Sequence, residues 1–230
     1  MSGIVIASLI AAAMALAFYG GTLLWLARGG ERGMLVLAGA LAFPLTVLAY
    51  HLVRTPIETL FGAPGGTLWL RAILPPLIEE PTKLLPLFMP ILARAVTRDN
   101  AWRFGMALGL GFGLGEILLL VQLLQASQVV SAAPWTGLTG FISERYIVCL
   151  AHGAFTATAL TVWRSGRPFW QALLAAMALH FLSNLPIALA SLFMVDLPTR
   201  SATLAIWLVL VWSAAIVGLI ALARLSYRKA

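Results

Sequence analysis

The chain has 230 residues, of which 61% are hydrophobic and 10% charged, with a formal net charge of +7. Soluble domains carry about 25% charged residues, so this composition excludes a soluble fold and specifies an all-α polytopic membrane protein with the lipid bilayer as its first partner. The basic residues are dispersed in short gaps between apolar runs, which argues against a nucleic-acid face; the single cysteine, Cys149, excludes an intrachain disulfide and a cysteine-based zinc site.

Runs of about 20 apolar residues mark membrane spans. They are expected near 4–26, 34–53, 73–93, 104–125, 141–163, 169–194 and 203–223, which makes seven helices in one domain covering 1–230. The first run has no Lys or Arg before it and is long enough to cross, so it reads as a helix rather than a signal peptide. The stretch TPIETLFGAPGGTLW at 55–69 is richer in Gly, Pro and polar residues, leaving room for a short interfacial or re-entrant piece as an eighth element. Trp69 and Trp135 suit interfacial anchors, and so does His51, beside Tyr50 and Arg54. Nothing in the sequence specifies an oligomeric state.

Basic residues set the expected orientation. Arg28, Arg32, Arg94, Arg98, Arg103, Arg164, Arg167, Arg224, Arg228 and Lys229 fill alternate gaps, ten in all, against four (Arg54, Arg71, Arg145 and Arg200) in the intervening ones. That asymmetry predicts an outside N-terminus and a cytoplasmic C-terminus.

Against this apolar background the segment LIEEPTKLLP, residues 77–86, places Glu79, Glu80 and Lys83 inside the third expected span. An ionisable group at membrane depth costs about 2.5–3.5 kcal/mol on insertion scales and is by default a functional candidate. Glu116, His152 and His180 qualify on the next three spans. At the helical rise, Glu79 and Glu80 lie about 21–22 Å from Arg94, Glu116 about 20 Å from Arg103, His152 about 18 Å from Arg164 and His180 about 20 Å from Arg167. Four consecutive helices are therefore expected to carry ionisable groups to one level in the outer half of the membrane, with Asn184 one turn from His180 on the same face.

The local pattern supports a polar cluster. Lys83 stands i+4 from Glu79 and i+3 from Glu80, so it can neutralise one carboxylate within the helix. Pro75 and Pro76 suit a helix start, which places the Glu pair in the first turn, and Pro81 should leave a kink. Gly105, Gly109 and Gly113 recur every four residues and allow close helix approach beside Glu116. Glu144 and Arg145 are expected to pair at the outer end of the fifth span, and Cys149 to be a packing residue.

Glu79-Glu80-x-x-Lys83 resembles the EExxK motif of the PrsW family of intramembrane proteases, and Phe112-x-x-x-Glu116 its FxxxE motif; His152 and His180 complete the pattern. His180-x-x-x-Asn184 resembles the HxxxN motif of the wider superfamily of CAAX prenyl endopeptidases and bacteriocin-processing CPBP proteins. The likeness covers roughly residues 75–186. It implies a glutamate-type endopeptidase of a bacterial or archaeal cytoplasmic membrane, with no metal or other cofactor, acting on membrane-embedded or membrane-anchored peptides. Glu79 would be the general base and Glu80 the partner of Lys83. Glu116 stands where the CAAX enzymes have histidine, and His152 is an alternative second ligand for the water. His180 and Asn184 would hold the oxyanion. Two other readings compete: a zinc peptidase using His152, His180 and a glutamate, which lacks the HExxH pattern, and a proton-coupled transporter or non-catalytic membrane partner, in which the buried carboxylates relay protons.

Overall fold

The computed structural model describes residues 1–61, 72–194 and 196–227. Its regular structure is helical, with no strand among the described residues. Nine helices are distinguished: α1 (Gly3–Leu26) and α2 (Glu31–Leu60), then α3 (Leu74–Leu84), α4 (Pro90–Ala95), α5 (Ala101–Gln125), α6 (Gln128–Ala132), α7 (Thr139–Arg164), α8 (Phe169–Phe193) and α9 (Leu197–Tyr227). Two of them contain a π-helical turn, Leu16–Gly20 in α1 and Tyr50–Arg54 in α2.

Among the described residues six helices are long and apolar enough to cross a membrane, beside the seven expected. The expected span at 73–93 is broken: α3 ends at Leu84, a 3-10 turn covers Leu85–Phe88, and Met89 is extended before α4 begins. Pro86 and Pro90 explain the break. Each lacks an amide hydrogen, and Pro90 also holds Met89 before it in extended geometry. Trp69 and Arg71, with most of the proposed re-entrant stretch, fall outside the described residues, as do Arg228 and Lys229. Trp135 opens a 3-10 turn (Trp135–Leu138) that leads straight into α7.

α5 and α7 form the central pair, with α2 on the other side of α5 and α1 lying against both. α3 sits between α2 and α8, while α8 and α9 flank α7. The central contact is built by missing side chains. A Cβ at Gly105 would overlap the Thr156–Ala157 backbone, and one at Gly109 would overlap the carbonyl of His152. At Gly113 it would crowd Cys149. Gly111 and Gly115 do the same on the opposite side, against Gly39 and against Phe43 and Thr46 of α2. Thr46 Oγ1 closes that contact by donating to the Phe112 carbonyl at 2.8 Å.

At one end of the bundle Arg103 pairs with Glu31 at 2.7 Å, and Arg164 donates to the Ala93 carbonyl at 2.7 Å, so three of the basic gaps meet there. At the other side of α1 the rings of Tyr19 and Tyr146 stack at 4.6 Å, and the Trp212 indole of α9 donates to the Tyr19 hydroxyl.

Gly109→Ala should destabilise the protein by about 1–3 kcal/mol, because the new methyl meets backbone that cannot retreat without separating α5 from α7. Gly21→Ala, where a Cβ meets nothing within 4 Å, should be neutral or slightly stabilising. Thermal unfolding of the two variants in detergent measures the difference.

Candidate functional site

α3 carries the densest charge. Leu74 and the two prolines occupy its first turn, so Glu79 and Glu80 fall in the second turn and not in the first as expected. That placement removes them from the positive end of the helix and leaves their stabilisation to side chains. Lys83 supplies it: Nζ donates to Glu80 Oε1 at 2.5 Å, with both side chains essentially without solvent contact. The pairing takes the i,i+3 option and leaves Glu79 free of Lys83.

The ammonium makes a second contact. Lys83 Nζ lies 2.7 Å from His152 Nδ1 of α7. An ammonium only donates, so Nδ1 accepts and the neutral ring carries its proton on Nε2. Nε2 faces Glu116 Oε2 of α5 at 3.1 Å and donates to it. Glu116 Oε2 also takes Arg145 Nη1 at 3.1 Å, while Arg145 Nη2 reaches Glu144 Oε1 at 2.7 Å. On the other side of the lysine, His180 Nδ1 of α8 donates to Glu80 Oε1 at 2.7 Å. Its Nε2 points toward Glu79 Oε2, 3.9 Å away. An unbroken chain thus runs Arg145–Glu116–His152–Lys83–Glu80–His180 and stops at His180, with Glu79 beyond hydrogen-bond distance.

Apolar rings hold this chain in place. Phe112 lies under the Lys83 ammonium at 5.0 Å and packs edge-on against His152. Phe155 stacks on His180 with ring centroids 5.3 Å apart. The Gly109 and Gly113 contacts bring α5 close enough for Glu116 to meet His152.

Glu79 differs from the other two carboxylates, Glu80 and Glu116. Its Oε2 is buried and has no hydrogen-bond partner, and the side chain lines a cavity of about 390 Å³ together with Glu116, Arg145, His152, His180 and Asn184. All six proposed catalytic residues and Lys83 and Phe112 therefore gather in one region, with Asn184 in the cavity wall rather than in the chain. Two contributors were not anticipated. Arg145 was expected at the outer end of its span paired with Glu144; it keeps that pair but is 8% exposed and braces Glu116 as well. Its place seven residues before His152, two turns along one face, was the available signal. Arg54, read as interfacial, forms part of the cavity wall beside Glu79 and pairs with Glu58 at 2.8 Å.

Glu79, His152 and His180 each offer a ligand atom, and these lie within 4.8 Å of one another, close enough to share a cation. The hydrogen bonds around them fit a metal at two of the three. A metal-bound imidazole turns its other N–H to an acceptor. His180 does so toward Glu80, and Glu79 offers an unpartnered oxygen. His152 does not: its far nitrogen faces the Lys83 ammonium, and its near one is taken by Glu116. The three-ligand set does not fit without rearranging Lys83.

No match is found among curated proteins or among solved structures. The family described as "PrsW family intramembrane metalloprotease" matches residues 32–218, a stretch that contains α3, α5, α7 and α8 with every residue of the chain traced above. With most of the sequence matched, this protein belongs to the PrsW family of intramembrane proteases.

Proposed function

We propose that the protein is an endopeptidase that hydrolyses peptide bonds of membrane-embedded or membrane-anchored substrates with a water activated by Glu79. The observation that carries this reading is the buried, unpartnered Oε2 of Glu79, 3.9 Å from His180 Nε2 on a side chain that lines a polar cavity. Peptide hydrolysis needs a base for the water, donors for the oxyanion and a proton for the leaving amine. Both side chains line the cavity, and a water bonded to each would sit on the cavity side of the 3.9 Å line between Glu79 Oε2 and His180 Nε2.

In the reactive form His180 is an imidazolium whose Nδ1–H is held by Glu80. The central charges then balance, three carboxylates (Glu79, Glu80, Glu116) against Lys83, Arg145 and His180. The water oxygen attacks the substrate carbonyl carbon while Glu79 takes its proton. The carbonyl π-electrons move onto oxygen, and the oxyanion is met by His180 Nε2–H and the Asn184 carboxamide, donors of a kind worth about 2.7–4 kcal/mol each in other hydrolases. Collapse breaks the C–N bond, and the proton on Glu79 passes to the departing nitrogen. Lys83 and Glu116 act through His152 and Glu80, fixing tautomers rather than touching substrate.

A second reading, a metal-dependent peptidase with the ion at Glu79, His152 and His180, is favoured by their proximity and by the wording of the family description. It requires Lys83 to leave His152, or to be neutral.

Three outcomes are expected. Glu79→Gln should fold normally and lose cleavage by about a thousandfold; comparing membrane-fraction peptides from cells carrying wild type and this variant identifies the substrate, and wild-type cleavage by the variant removes the mechanism. Strong chelators should leave cleavage by the purified protein unchanged, whereas loss that zinc restores establishes the metal reading. Arg145→Met takes one of two partners from the half-buried Glu116 and should cost about 1–3 kcal/mol of stability. Arg145→Lys, which keeps the charge but not the fork that spans two carboxylates, should lose less, as thermal unfolding will measure.

A further inference from the structure

A second cavity adjoins the one that holds Glu79. It has a volume of about 460 Å³ and lies between α7, α8 and α9. The two share Phe155 and Ser183 in their walls. Phe155 is the ring stacked on His180, and the Ser183 carbonyl accepts the Trp207 indole N–H of α9 at 2.9 Å. The wall of the second cavity therefore begins at the level of the catalytic residues.

Its chemistry is opposite to that of its neighbour. The walls away from the junction are Thr158 and Leu179 on α7 and α8, and Leu210, Ala214 and Gly218 along α9. From Trp207 to Gly218 the helical rise is about 16 Å. Thr158 and Gly218 are each six residues before an arginine, Arg164 and Arg224, so the groove runs from the catalytic level toward the basic end of the bundle. α9 is exposed along most of its length and leaves the groove open on its outer side. Small residues on α9 are what a closely approaching helix needs in lipid, where packing rather than hydrophobicity drives association.

We propose that this groove seats the apolar membrane-spanning segment of the substrate, on the side of the cleaved bond that faces the basic end of the bundle. The inference rests on the peptidase reading for its direction: a bond held between Glu79 and His180 sends the chain on one side past Phe155 and Ser183, straight into the groove. The chain on the other side leaves through the polar rim at Arg54 and Glu144. Substrates are thus cut near one end of their span, and the longer apolar remainder is what the enzyme holds.

The test uses the full chain with Glu79→Gln, so that bound peptide is not consumed. A photoreactive benzoylphenylalanine replaces Leu210, on the groove wall, or Val209, which is exposed and outside that wall. The protein is placed in phosphatidylcholine vesicles with a synthetic single-span peptide of Leu and Ala flanked by lysines. Leu210 should label the peptide about tenfold more strongly than Val209. Gly218→Phe, at a position where a Cβ meets nothing within 4 Å, should abolish most of that labelling without disturbing the fold. Equal labelling from both positions, labelling indifferent to Gly218→Phe, or adducts with phospholipid alone would overturn the proposal. Labelling as expected, beside a wild-type chain that cleaves nothing, leaves the groove standing and removes the peptidase reading; cleavage with no groove labelling does the reverse.

Discussion

A single buried ammonium organises this molecule. Lys83 has no solvent contact and touches a carboxylate of its own helix and an imidazole of another. Desolvating such a charge costs several kcal/mol unless partners surround it. Those partners are Glu80, His152 and the face of Phe112, so α3, α5 and α7 must meet around it. Because an ammonium cannot accept a hydrogen bond, its position also dictates that His152 bears its proton on Nε2, which donates to Glu116. The fold and the protonation pattern are two results of the same contact.

The helices reach that contact because α5 has almost no side chains where it must come closest. Glycines on one face admit α7, and glycines two positions away admit α2. In lipid, such small-residue faces let packing and interhelical hydrogen bonds do what hydrophobicity cannot. A polar cluster assembled this way is rigid, since its members hang on backbones in direct contact. Glu79 Oε2, the one buried carboxylate oxygen without a hydrogen-bond partner among the described residues, stands out beside Glu80 and Glu116, which are both paired.

Much of this was legible in the residues. Each ionisable group on four spans lies a similar distance from a basic helix end, and the structure brings those groups together. The i,i+3 and i,i+4 spacing from Lys83 was readable too, though not which option would be taken. What failed did so for local reasons. Apolar composition located a span at 73–93 but was blind to the backbone, which Pro86 and Pro90 interrupt. Arg145 keeps its expected pair with Glu144, and its added brace to Glu116 escaped notice because the apolar run begins at 141 while the helix is entered from Trp135, with polar Thr139, Ser143 and Glu144 helical all the same. Hydropathy marks where lipid contact begins, which is a different boundary from where a helix does. Arg54 was hidden for a related reason, since no periodicity rule anticipates a π-helical turn.

That turn in α2 has a consequence for how the chain tolerates change in length. A π-helical turn accommodates one residue more than α-helical geometry would, and each residue rotates a helix face by about 100°. Removing one residue from His51–Val53 would let the helix relax into regular winding while Arg54 and Glu58 keep their face toward the wall beside Glu79, because the turn already holds the extra residue. The two parts of α2 thus stay in register across the turn with one residue to spare, and a single deletion at His51–Val53 spares the polar cavity that the same deletion in the regular part of α2 would disturb.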